Sequence, residues 1–203
     1  MRETRSAPCR VSQTSSLLDV VRQATGSAHR ALEARLDLND GSWTAERYVA
    51  FLRATLSVIQ PLEDTITRQL QLVDRTAVGD RASERLTHDL ERLAASASVQ
   101  PAALAPSIDT PAQAFGAAYV LRGSLLGGQI IARTLEDRLH LDRACFTYLR
   151  PDGTPAGEAW RAFTARLNDF GRSASVADWD DAASTARAMF RAFDAAFTDE
   201  DFA

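Results

Sequence analysis

Apolar residues recur three and four positions apart along most of this chain, and no segment alternates strictly between apolar and polar, so the pattern predicts helices and no strands. A first helix is expected from about Leu17 to Leu36, with Leu17, Val21, Ala24, Ala28 and Leu32 on one stripe and Asn39-Asp40-Gly41 ending it. Thr44 reads as the N-cap of a second helix reaching Gln60, with Trp43 and Tyr48 at the spacing of a hydrophobic staple. Pro61 either kinks that helix or opens a third one to about Leu72, because proline has no N–H and crowds the preceding turn. A fourth helix, about Arg81 to Ala97, should begin after Asp80 and turn Leu86, Leu90 and Leu93 inward.

Thr110-Pro111 is a cap followed by a proline at the first helical position, and it opens the longest helical pattern, to about Leu139, with an interruption at Gly123, Gly127 and Gly128. Residues Leu141 to Gly153 read as a connector. Thr154-Pro155 opens another helix ending near Gly171. Ser175 with Asp178 resembles a capping box for a last helix, whose Phe190, Phe193 and Phe197 form a core-facing aromatic edge. The expected architecture is all-α: a polar tail over residues 1–16 and one helical domain over 17–203.

Composition narrows this picture. A chain of 203 residues, 45% of them hydrophobic, suits one domain with a sizeable core. The net charge is -4 and the arginines are interleaved with acids, so no basic stripe invites nucleic acid. Apolar runs are interrupted too early to span a bilayer, and residues 1–16 lack the apolar core of a signal peptide, so the expected location is cytoplasmic and off the membrane. Cys9 and Cys145 have no partner spacing for a metal or a disulfide framework. There is no lysine, so any cation that grips a carboxylate here is a guanidinium.

Two segments carry candidate chemistry. At about 100° per residue, Arg22, Gly26 and Glu33 lie within about 60° of His29, beside the apolar stripe. An imidazole, apolar walls and a cation are what a planar, greasy, dianionic metal cofactor needs. Arg22 stands roughly 10 Å along the axis from His29, within reach of a carboxylate on such a cofactor, and Glu33 is one turn beyond, able to receive the proton of the other ring nitrogen. Spacing alone equally describes a histidine at the edge of a core-facing helix with an ordinary His-Glu pair. His88 and His140 sit among charged residues and read as solvated.

The second segment holds three glycines within the six residues Gly123 to Gly128. Each costs a helix interior about 0.8–1 kcal/mol relative to alanine. Gly123 and Gly127, one turn apart, leave a strip without side chains that admits something flat, or a neighbouring helix; the Gly127-Gly128 pair favours a bend over straight packing.

Together and in this order, the run Arg22-Gln23-Ala24-Thr25 through His29 to Glu33 and the run Gly123-Ser124-Leu125-Leu126-Gly127-Gly128-Gln129 resemble the proximal and distal helices of haem oxygenases. The resemblance implies haem, as both cofactor and substrate, held between a proximal helix and a kinked distal helix. It implies His29 as the iron ligand, Glu33 beside its imidazole, and Arg22 where the family places a basic residue for a haem propionate. Gly123, Ser124, Gly127 and Gly128 would form the catalytic distal wall, with Tyr119 among the cofactor contacts. Arg161, and after it Arg166, would be a second propionate partner. Ser124 stands where the mammalian enzymes carry an aspartate that orders distal water, a departure that bears on the proton route.

The implied reaction is oxidative opening of haem to biliverdin, CO and ferrous iron. Electrons would come from an external donor such as a ferredoxin or reductase, because no flavin or dinucleotide fingerprint is present. The stretch from Tyr119 to Gly128 is similar to that of the enzymes that supply bilin to bacteriophytochromes. Competing readings are a non-catalytic haem carrier or sensor, a thiaminase-like or di-iron enzyme, and a structural module. Glu84 and His88 lack the Glu-x-x-His spacing of a di-iron site, and Cys145 has no nearer histidine than His140.

Overall fold

The computed structural model describes residues 15–36, 43–75, 77, 81–151 and 153–197. Among them are seven α-helices and no strand: α1 (Leu17–Leu36), α2 (Ala45–Ile59), α3 (Glu63–Gln71), α4 (Ala82–Arg92), α5 (Pro111–Leu139), α6 (Ala156–Ser173) and α7 (Val176–Ala196). A 3-10 turn spans Arg143–Cys145 within the connector. The expected tail up to residue 14, with Cys9, the stop at Asn39-Asp40-Gly41, and Asp80 lie outside the described residues.

The local start signals act as their chemistry dictates. Thr44 accepts a hydrogen bond from the Arg47 N–H. Thr110 with Gln113 and Ser175 with Asp178 form reciprocal capping boxes on α5 and α7. Trp43 and Tyr48 are both buried across the entry to α2. At Pro61 the chain makes a turn and begins a separate α3.

Two expectations are corrected. The fourth helix stops at Arg92 rather than Ala97. Ala94 adopts φ 54°, and the Ala95 N–H reaches back to Leu90 O, closing the helix in a Schellman-type turn. Alanine and serine keep Ala94 to Ala97 compatible with helix, but Arg53 of α2 takes Ser96 O as its acceptor at 3.0 Å and so draws the chain aside. The longest helix is not interrupted either: residues 111–139 are helical without a break through all three glycines.

The start of α4 is capped from afar. Arg81 is left-handed and supplies no side-chain cap, and Glu63 of α3 instead accepts from the Ala82 N–H and from Ser83. Around the core, α7 packs on both α1 and α5, whereas α1 and α5 make no comparable contact with each other. The α5–α7 approach is close at Gly116, where a Cβ would lie 2.1 Å from Ala182 O. Leu17 of α1 seals against α6 at Gly171 in the same way, at 2.7 Å.

The connector is pinned from both sides. Asp89 of α4 is fully buried and accepts from the Thr147 N–H at 2.9 Å, the Thr147 hydroxyl at 2.6 Å and the Tyr148 N–H at 2.9 Å. Burial pushes its carboxyl above the usual carboxylate range, and these hydrogen bonds oppose the shift only in part. The buried Tyr48 hydroxyl donates to Cys145 O at 2.9 Å, and Arg150 pairs with Glu136 of α5.

Candidate functional site

Along α1 the apolar stripe is buried only in its first half. Leu17, Val21 and Thr25 are buried; beyond them Ala28 and Leu32 are half-buried and no residue is fully covered. His29 belongs to that second half. Its side chain is 54% exposed, its ring meets Phe190 of α7 edge-on at 5.7 Å, and Glu33 Oε2 stands 3.3 Å from Nδ1. Glu33 thus occupies the Nδ1 side, and Nε2 is left as the nitrogen available to a ligand. Arg22 is exposed and 3.9 Å from Asp19, a surface pair of small energy that yields readily to a better anion.

On α5, Gly123, Leu126, Gly127 and Ile130 fall at the i, i+3, i+4, i+7 positions of one face. Nothing lies within 4 Å of a Cβ built on Gly127, and the flanking Leu126 and Ile130 are exposed, Ile130 by 69%. An apolar face left open beside a bare backbone position is what a flat hydrophobic molecule would cover. The three glycines are not equivalent, however. A Cβ built on Gly123 would meet the Trp160 indole at 3.6 Å, and Gly128 is buried against the Leu149 backbone, with Leu149 O 2.8 Å from a built Cβ. Of the three glycines only Gly127 is open; Gly128 serves packing against the connector.

Helix α7 links the two segments. Phe115 of α5 stacks on Phe170 late in α6, while Tyr119 and Gly123 meet Trp160 early in α6, so α5 and α6 are antiparallel. A two-residue turn leads into α7, whose Trp179 indole donates back to Gly171 O. Along α7, Ala182 lies against Gly116 of α5, and Phe190 meets His29 of α1. The open stretch of α5 and the imidazole of α1 therefore belong to helices that both pack on α7 rather than on each other.

The other expected residues are placed as follows. Ser124 is exposed, and its hydroxyl donates to Leu121 O at 2.8 Å. Tyr119 is half-buried against Trp160. Arg161 is exposed at the next position of α6, whereas Arg166 is engaged 3.3 Å from Asp74 and is the poorer candidate for an incoming anion. His88 and His140 are exposed and Cys145 is buried, its thiol pushed up by burial, which suits inertness. Phe190, Leu126, Ile130 and Trp160 were not singled out from the sequence as site residues. The apolar pair flanking Gly127 was the available signal.

The donor set fits a haem better than a bare ion. Among the described residues no three His, Cys, Asp or Glu side chains gather into a metal site. A metal at His29 therefore needs ligands other than protein side chains, as a porphyrin provides. No described helix is long and apolar enough to cross a membrane.

Comparison with known proteins gives the family and the fold. The family model described as heme oxygenase matches residues 15–199. A heme oxygenase of Xanthomonas campestris pv. campestris (strain 8004) is 32% identical over 157 residues, covering 77% of this chain and 92% of its own. The fold is similar to the NO- and CO-bound heme oxygenase of Neisseria meningitidis, with a TM-score of 0.69, 20% identity and 92% of each chain covered. It is also similar to the heme oxygenase of Leptospira interrogans, with a TM-score of 0.65, 16% identity, and 90% and 98% of the two chains covered.

Proposed function

The chain belongs to the haem oxygenase family, whose members are oxidoreductases, and from that premise we propose that it opens haem to biliverdin, CO and ferrous iron with His29 as the proximal ligand. The observation that carries the assignment is the arrangement at His29: Nδ1 beside Glu33, the ring edge on Phe190 of α7, and the open α5 face on a helix that packs on the same α7. Bound there, haem would supply the oxygen-activating iron and also the ring that is oxidised.

The protein's part is to bind, orient and keep acids away. Glu33 holds the Nδ1 side of His29 and leaves Nε2 for the iron. Phe190, Leu126 and Ile130 give the ring apolar contact, and Gly127 lets it approach the α5 backbone. Arg22 and Arg161 are the cations for the two propionates. Ser124 spends its hydroxyl proton on Leu121 O, so α5 brings no strong acid to the distal side at this position. A proton needed there would have to come from water rather than from this side chain, while the bound haem would supply the oxygen chemistry.

Electrons come from a separate donor such as a ferredoxin or reductase. Supply of bilin to a bacteriophytochrome is the finer reading, carried by the run from Tyr119 to Gly128 alone. The engaged Ser124 hydroxyl equally suits a haem carrier on this fold. Haem-reconstituted protein given reductant and oxygen decides: loss of the Soret band with a green bilin product is expected, and a stable Soret band refutes catalysis. His29→Ala should abolish the imidazole-ligated spectrum and turnover; an unchanged spectrum and rate in that variant would remove the central assignment.

A further inference from the structure

We infer that Trp160 is the side wall that sets the in-plane rotation of the haem, and thereby selects which meso bridge is opened; the inference rests on the haem oxygenase reading above. An axial bond from His29 fixes the position and tilt of the iron but leaves the porphyrin free to turn about that bond. Rotation is restrained only by contacts at the ring perimeter. The two propionate candidates, Arg22 and Arg161, are long and exposed, and so restrain it loosely. Trp160 is rigid by comparison.

A Cβ built on Gly123 would meet the indole at 3.6 Å, yet one turn further along the same face a Cβ built on Gly127 has nothing within 4 Å. Trp160 therefore stands at the border between the covered and the open part of α5. Tyr119 and Phe163 hold the indole, with centroids 5.5 and 5.8 Å away. Its attachment also differs from that of the other two tryptophans. Trp43 donates its indole N–H to Leu36 O and Trp179 donates to Gly171 O, whereas the indole of Trp160 makes no hydrogen bond among the described residues. Packing alone sets its position, so a flat edge arriving beside Gly127 meets an aromatic face that can lie along it.

The test reads rotation directly and does not require turnover. In the ferric cyanide complex, the haem methyl proton resonances report ring rotation; in turnover with a reductant, the biliverdin isomers report it again. Wild-type protein should show one dominant methyl pattern and one dominant isomer. Trp160→Ala should bind haem with the same His29-ligated spectrum and show a second methyl set and a second isomer, the preference falling about 2- to 10-fold, as loss of one aromatic stacking contact implies. Trp160→Phe, which keeps a flat wall, should retain the single pattern. An unchanged methyl pattern in Trp160→Ala overturns the inference even though the protein binds haem. If wild-type protein binds haem and gives no biliverdin, the catalytic reading fails while the methyl pattern still decides the role of Trp160. A wild-type protein that forms no His29-dependent haem complex overturns both.

Discussion

Alanine placed at each of three α5 glycines should give three different results, because the helix is the same and only the surroundings differ. At Gly127 a new Cβ meets nothing within 4 Å, so the change reduces to helix propensity, a gain of about 0.8–1 kcal/mol. For a chain of this length that raises the melting temperature of the haem-free protein by about 2–4 °C. At Gly128 the same methyl would stand 2.8 Å from Leu149 O and 3.3 Å from Leu149 Cα. Those are backbone atoms, and the connector cannot retreat easily because Asp89 holds Thr147 and Tyr148. Overpacking of this kind costs about 1–3 kcal/mol, which outweighs the propensity gain. At Gly116 the methyl would sit 2.1 Å from Ala182 O and force α5 and α7 apart, so the loss should be larger still. Urea denaturation followed by far-ultraviolet circular dichroism should rank Gly127→Ala above wild type, then Gly128→Ala, then Gly116→Ala. Haem affinity, read by Soret titration, should fall for Gly127→Leu although its haem-free fold is intact. A destabilised Gly127→Ala, or a Gly127→Leu variant that binds haem like wild type, would refute the view that this position is bare in order to admit a ligand.

Replacing Glu33 by Ala should weaken haem binding on the order of tenfold by removing the group beside Nδ1, measurable by haem transfer to apomyoglobin. Asp89→Asn should cost about 1–3 kcal/mol in urea unfolding, since an amide nitrogen cannot accept from the buried backbone donors of Thr147 and Tyr148. Because burial raises the folded-state pKa of Asp89 above its unfolded value, its contribution is present at low pH and is lost as pH rises through the folded pKa; this component of the stability–pH curve should vanish in Asp89→Asn. The opposite sign holds for Asp178, whose pKa is lowered chiefly by the Ser175 hydroxyl. The stability it gives is present above the ordinary carboxylate range and is lost as pH falls through the lowered value, so Ser175→Ala should flatten the acid limb of the thermal melting curve.

Much of the fold was legible because its signals are local. A start such as Thr110-Pro111 with Gln113, or Ser175 with Asp178, needs only three or four neighbouring residues to form, and the helical period of the apolar stripe is a property of each segment alone. The spacing of Arg22, His29 and Glu33 on one face was likewise set by the sequence, as was the resemblance to a family that the comparisons bear out. The end of α4 was not, because its stop depends on Arg53 reaching Ser96 O across the turn.

Tertiary structure alone decided what each glycine is for. Gly123, Gly127 and Gly128 look alike in sequence, but their tasks are assigned by Trp160 and Leu149, which lie tens of residues away and reach α5 only once α6 and the connector have docked. The same holds for the packing of α1, with His29, and α5, with its open face, on one shared helix α7. Backbone conformation is governed by neighbours along the chain; which surface remains uncovered is governed by which distant segments come to lie on it.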